Sequence, residues 1–180
     1  MRSVHASIVA AALSVPQLPA LAAVEPGWFG TIAVGHTFYS ADCGYDLACN
    51  SGGATAGKFG VGYQFGTFGL EGWLVDYGKS ALPPDDHLRL GSIAVNAAWR
   101  WRVGASAQAV LRAGVASVHQ TRSAENFRST EPTLGFGFSF DVARSAQVEL
   151  AWDVVTSTGG SDHIGTVVAQ PVTLALRLRF

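Results

Sequence analysis

The chain has 180 residues, with 12 Lys and Arg against 13 Asp and Glu for a net charge of −1. Only 14% of it is charged, where soluble domains carry roughly 25%. That balance excludes the basic stripe of a nucleic-acid binder and the high charge of a disordered chain, while 21 Gly and 11% aromatics point to strands and turns rather than a helical bundle.

Met1-Arg2 and the apolar run from Ala6 to Leu13, followed by Ala20-Leu21-Ala22, read as a secretory signal peptide with small residues at the cleavage site. Pro16 and Pro19 interrupt the run, which is therefore too broken for a spanning helix of about 20 apolar residues. Residues 1–22 are expected to leave on export to the periplasm and residues 23–180 to form one domain; cleavage after Ala23 fits nearly as well. No later segment is apolar enough for a spanning helix. A membrane form of this chain is therefore expected to be a barrel, since only closed strand pairing satisfies the backbone in lipid.

Alternation of apolar with small or polar residues predicts eight strands. In chain order they are Trp28–Tyr39, Thr55–Phe65, Phe68–Lys79, Leu88–Arg102, Ala107–His119, Thr133–Val142, Gln147–Thr156 and Pro171–Phe180. Tight connections at Gly66-Thr67, Val103–Ser106 and Ala143–Ala146 alternate with longer ones at Ala41–Ala54, Ser80–His87, Gln120–Pro132 and Ser157–Gln170. Short turns on one side and long loops on the other mark outer-membrane barrels, and an even strand count puts both termini on the short-turn side. The fold expected is an all-β, eight-stranded, antiparallel up-and-down transmembrane barrel.

One face of the strands is large and apolar, as in Phe59, Val61, Tyr63 and Phe65 or Val172, Leu174, Leu176 and Leu178. The other is small, polar or charged. Trp28, Phe65, Phe68, Trp101, Phe140 and Phe180 fall at strand ends on one rim, the arrangement of an interfacial aromatic girdle. The polar face is rich in Gly and Ala and carries few charges, which suits a narrow, side-chain-filled lumen better than a water-facing exterior.

By parity the lumen should hold Lys58, Glu71, Arg100, Arg112, Asp141, Glu149, Asp153, Arg177 and Arg179. Charges in a low-dielectric tube must pair or stay hydrated. They form either a salt-bridged plug or a small porin-like path for ions, and the plug is preferred because an eight-stranded interior is just wide enough for side chains. Cys43 and Cys49 in the first long loop are expected to form a disulfide in an exported chain. Asp42 and Asp46 lie near them, but two Cys without spaced His make a poor zinc signature, so no metal or other cofactor is expected.

Of the five His, His5 leaves with the signal, His36 is expected to face lipid near the outer rim, and His87 and His163 fall in loops. His119 shares a face with Ser117, yet no carboxylate orienter joins them as a triad requires. The Gly-containing runs Ser51-Gly52-Gly53 and Gly159-Gly160-Ser161-Asp162 lack the Lys-Ser/Thr of a phosphate loop. No enzyme is expected.

The segments Gly57-Lys58-Phe59-Gly60-Val61-Gly62-Tyr63-Gln64-Phe65, Leu70-Glu71-Gly72 and Asp76-Tyr77-Gly78-Lys79 resemble the first periplasmic hairpin of the OmpA-like outer-membrane barrel family. Leu174-Ala175-Leu176-Arg177-Leu178-Arg179-Phe180 is similar to the terminal strand that such proteins present to the barrel-insertion machinery. The resemblance implies a barrel domain without the peptidoglycan-binding domain of longer relatives, located in the outer membrane of a Gram-negative envelope. Its implied partners are outer-membrane lipids and the insertion machinery, with no nucleic acid and an unspecified loop ligand. The role expected is a non-enzymatic structural and surface-contact one. A narrow ion-conducting pore is the alternative, and a lipid A-modifying enzyme a more distant one.

Overall fold

Period-two alternation becomes eight antiparallel strands that close on themselves. The structure, a computed structural model, describes residues 26–41, 52–82, 86–122, 125–158 and 166–180. The expected signal segment, Cys43 and Cys49, and His163 lie outside these residues. The strands are β1 (Gly27–Ala41), β2 (Gly52–Phe65), β3 (Phe68–Leu82), β4 (Asp86–Arg102), β5 (Ala107–Arg122), β6 (Glu125–Ala143), β7 (Ala146–Thr158) and β8 (Thr166–Arg179). Each pairs with the next, and β8 pairs back onto β1, so no edge is left open.

The three tight connections lie at one end, termed the turn end; the other is the loop end. Gly66 turns between β2 and β3 with φ 68, a left-handed backbone that glycine adopts without cost. Both ends of the described barrel meet at the turn end, where the Phe180 amide donates to the Trp28 carbonyl at 3.1 Å.

At the loop end the strands run further than their sequence pattern. The expected loop over Gln120–Pro132 is largely ladder: Thr121 pairs with Asn126, His119 with Arg128 and Val115 with Pro132. Likewise Ala81 pairs with His87, and β8 begins at Thr166 instead of Pro171. Backbone pairing needs no side-chain alternation, so polar runs continue the ladder. A proline removes a single donor. Pro171 stays paired with Thr37 of β1, while the ladder to β7 skips from Trp152↔Val172 to Val155↔Ala169.

A bulge shifts the β3–β4 register between Asp76 and Gly78. Tyr77 keeps the inward parity of Glu71, Trp73 and Val75, and the extra residue turns Lys79 outward. Gly78 has φ 84, and a Cβ there would lie 2.3 Å from the Thr55 carbonyl oxygen, so only glycine fits the bulge.

The two faces separate cleanly over the turn-end two-thirds of the barrel. Outward lie Ile32 (59% exposed), Leu74, Val95, Leu134 (62%), Phe136 and Leu174, and among the described residues no Asp, Glu, Lys or Arg points outward within this apolar band. Along β8 the band runs from Val172 to Phe180. Eight steps of about 3.3 Å, tilted about 40°, rise about 20 Å, which approaches the roughly 25 Å apolar band of outer-membrane barrels.

Toward the loop end the polarity inverts, a feature that period-two reading alone did not show. Tyr39, Tyr77, Leu88, Leu90, Val118 and Val167 are buried inside, while Lys79, Arg89 and Arg128 are exposed outside. The same strands are therefore oily outside along the band and oily inside above it. Inward glycines make room for the bulky lumenal groups: a Cβ at Gly60 would strike the Trp73 ring at 2.5 Å, and one at Gly62 the Phe29 ring at 2.3 Å.

Candidate functional site

The strand register brings five of the expected lumenal charges together. Glu71 on β3, Arg100 on β4, Arg112 on β5 and Glu149 on β7 form a closed ring of four ion pairs. Arg100 donates from Nη2 to Glu71 Oε1 at 2.8 Å and from Nη1 to Glu149 Oε2 at 3.0 Å. Arg112 donates from Nε to Glu71 Oε2 and from Nη2 to Glu149 Oε1, both at 2.6 Å. All four side chains are at most 3% exposed. Each guanidinium spans both carboxylates, the two-pronged geometry that makes such pairs strong and orientationally specific.

Arg177 on β8 adds a third cation. Its Nη1 lies 3.8 Å from Glu71 Oε1, its Nη2 donates to Gln64 Oε1 at 3.3 Å, and its guanidinium carbon sits 3.3 Å over the Phe29 ring. The cluster of Glu71, Glu149, Arg100, Arg112 and Arg177 therefore carries one positive charge in excess, partly placed against an aromatic face. Gln64 ties the cluster to the β2–β3 turn by donating to the Gly66 and Phe68 carbonyls at 2.7 and 2.9 Å. Trp73 Nε1 donates to Glu71 Oε2 at 3.0 Å.

Lys58 and Asp153 pair separately, one level further toward the loop end. They line a cavity of about 20 Å³ with Trp73, Tyr77, Asn96 and Thr133, enough for about one water molecule. Asp141 lies near the turn end with Arg102 Nη2 at 3.5 Å, and Arg179 is half-buried on the inward face at that end. Period-two parity puts Trp73, Gln64 and Arg102 on the same face as the expected lumenal charges, but nothing in the sequence signals that Trp73 and Gln64 bond into the cluster or that Phe29 lies under Arg177. Above this level the lumen is filled by the apolar plug of Leu88, Leu90, Val118, Val167 and Ala169.

The rim aromatics share the turn end. Trp28, Phe65, Phe68, Phe140 and Phe180 are exposed and Trp101 is half-buried. Phe68 stacks on Trp99 with ring centroids 6.1 Å apart, and Trp99 in turn meets Trp101 at 5.1 Å. Two further groups sit outside the band at the loop end. His36 is exposed and lies 4.9 Å edge-on to Phe38. His119 does not end its strand but continues into it, with Nε2 3.3 Å from Thr121 Oγ1, whose proton goes to Asn126 Oδ1.

Two carboxylates above the band are held in their charged form. Burial alone would push Asp76 up, but hydrogen bonds from Arg89 at 2.7 Å and the Gly78 amide at 3.0 Å outweigh it and lower it. Glu131 bridges to β7 beyond the last β6–β7 pair, accepting from the Thr158 hydroxyl at 2.6 Å, the Thr158 amide at 3.1 Å and the Thr156 hydroxyl at 3.2 Å. The bonds from Thr158 hold its carboxyl below the usual range. A depressed folded value means the contribution is complete above the unfolded pKa of about 4.3 and is lost as pH falls through the folded one. Replacing Glu131 by Ala is expected to speed hydrogen exchange at the Thr158 amide at neutral pH. In the unmodified chain that protection should fade only in acid below the ordinary carboxylate range; protection that is unchanged by the substitution would contradict the bridge.

No protein-family model matches this sequence, and no curated protein matches it. Solved structures do. The chain is similar to Neisserial surface protein A, with a TM-score of 0.71 over 87% of this chain and 100% of that one, at 15% identity. It is similar to Ail, the attachment invasion locus protein of Yersinia pestis, with a TM-score of 0.51 over 84% of this chain and 99% of that one, at 16% identity. A de novo designed transmembrane β-barrel scores 0.50 over 87% of this chain and 99% of its own, at 11% identity. At such identities the likeness establishes the fold, a closed eight-stranded barrel of the outer-membrane type.

Proposed function

We propose that this chain is a small integral outer-membrane barrel of OmpA-like type, non-enzymatic, whose lumen is a structural plug and whose loop end contacts the cell's surroundings. One observation carries the reading: the outward face is continuously apolar and uncharged along the band, while the charges lie inside as closed ion pairs. A charge on the lipid face of such a barrel costs about 2–4 kcal/mol at mid-depth, so an uncharged band is what hydrocarbon selects. Water would select the reverse, and above the band the chain takes that reverse form.

The plug supports a non-conducting barrel over the narrow-pore alternative. Arg100, Arg112, Arg177, Glu71 and Glu149 are at most 2% exposed, and the apolar plug covers them on the loop side. An ion would have to part four mutually bonded pairs and then cross oil. The full chain in planar bilayers is therefore expected to show no conductance steps over a wide voltage range, while resisting alkaline extraction from membranes. Reproducible steps would favour the pore, and release by alkali would remove the integral reading altogether.

The absence of catalysis is proposed on the geometry around His119. Its described partner is Thr121, which bonds in turn to Asn126, and among the described residues no carboxylate joins their hydrogen bonds. The loop end carries the segments that join β1 to β2 and β7 to β8, where contact with surfaces or ligands would be made.

A further inference from the structure

Above the apolar band, the outward face is charged on one half of the barrel. β3 to β6 present Lys79, Arg89, His119 and Arg128, all exposed. The register sets them side by side: Lys79 opposite Arg89, and His119 opposite both Gly91 and Arg128. Neighbouring strands lie about 4.8 Å apart, so Lys79 and Arg89 adjoin, and His119 stands between them and Arg128 along one polar crescent. On the other half the outward positions of β7, β8, β1 and β2 at this level include Thr156, Val168, Gln170, His36, Phe38 and Thr55. None of the described residues there is Lys, Arg, Asp or Glu.

Within the crescent, Gly91 leaves a gap beside Arg89 and His119. A Cβ at Gly91 would meet only the Val75 carbonyl oxygen, at 3.4 Å, so the gap opens outward. Among the described residues the acids nearby are already engaged. Asp76 is bonded to Arg89 and to the Gly78 amide, and Glu131 is bonded to Thr156 and Thr158. Among the described residues, three permanent cations against Asp76 leave a surplus of two positive charges.

We propose that this crescent binds the phosphate groups of anionic lipid headgroups in the outer leaflet, so that the barrel carries its bound anionic lipid on the β3–β6 side. The inference rests on the membrane reading, which fixes the depth. The crescent begins where Leu74 and Ile93 end the apolar rows, and that is the level of the headgroups. Guanidinium groups of Arg89 and Arg128 offer planar forks that match phosphate oxygens, and Lys79 adds a point charge. A lipid phosphate held at this depth keeps its chains against the apolar band below, which a free anion cannot do.

The test uses the full chain in phosphatidylcholine nanodiscs containing a minor fraction of phosphatidic acid, with apparent affinity read from a fluorescent phosphatidic acid. Retention is expected in low salt and should be lost in high salt. Each of Lys79→Ala, Arg89→Ala and Arg128→Ala is expected to weaken it about fivefold, the worth of one cation near an anionic surface. Asp76→Asn keeps the acceptor for the Gly78 amide but releases Arg89, so it should strengthen retention. Equal retention by the original chain and the Arg variants, no gain with Asp76→Asn, or full displacement by inorganic phosphate would each overturn the proposal. Failure of the chain to enter pure phosphatidylcholine nanodiscs would instead overturn the membrane reading beneath it.

Discussion

Replacing Glu71 by Gln is expected to destabilise the barrel by about 3–5 kcal/mol, the cost of removing one partner from a buried ion pair. Glu71 accepts from Arg100, Arg112 and Trp73 and lies 3.8 Å from Arg177. Without its charge, three guanidiniums face one carboxylate, Glu149, in a space closed to water. Glu149→Gln should cost less, because Glu149 bonds to Arg100 and Arg112, whereas the Trp73 hydrogen bond and the Arg177 ion pair fall on Glu71. Restoring balance should recover part of the loss, so Glu71→Gln with Arg112→Met is expected to be more stable than the sum of the two single changes. Urea titration of the refolded barrel, followed by the gel mobility of folded and unfolded forms, measures all of these. A Glu71→Gln barrel as stable as the original would show that the ring contributes nothing to the fold.

Val95→Arg is expected to cost about 2–4 kcal/mol of stability in a bilayer, whereas Thr130→Arg should cost about 0–1 kcal/mol. Val95 points outward at mid-band, half exposed, opposite Gly72 and Val115. Thr130 also points outward, but above Leu134 and beside the cationic crescent. In a water-bathed barrel both would be near-neutral surface changes. The difference between the two sites therefore reports the surroundings of the outer face, with the arginine itself held constant. Vesicle-folding equilibria for the two variants give it directly, and equal costs would count against hydrocarbon at Val95.

Much of this fold was legible in the sequence, and particular residues show why. Phe59-Gly60-Val61-Gly62-Tyr63 and Leu174-Ala175-Leu176-Arg177-Leu178 alternate strictly, and a strand turns such alternation into two faces without help from tertiary contacts. Gly66-Thr67 and the segment 103–106 mark tight turns by their small residues. The loop end was less legible. Asn126 to Pro132 carries no alternation, yet it pairs residue by residue with β5, because a ladder is held by backbone groups that every sequence possesses.

Leu88 and Leu90 show a second limit. Period two places them with the charged residues of β4, and their burial follows only from water outside that stretch. The lumenal cluster was legible as a set but not as a pattern of partners. Arg100 meets Glu149 49 positions away and Lys58 meets Asp153 95 positions away. Such pairings depend on how the closed barrel staggers its strands, which no local window contains.

Nitroxide labels carried along β4, in a chain with Cys43 and Cys49 replaced by Ser, test which face of the sheet meets hydrocarbon. Labels at Ile93, Val95 and Ala97 should be open to dissolved oxygen and closed to a water-soluble nickel complex; a label at Arg89 should be open to the nickel complex. Labels at Ala94 and Asn96 should be closed to both. Nickel access at Val95 equal to that at Arg89 would place the apolar band in water and contradict the membrane assignment.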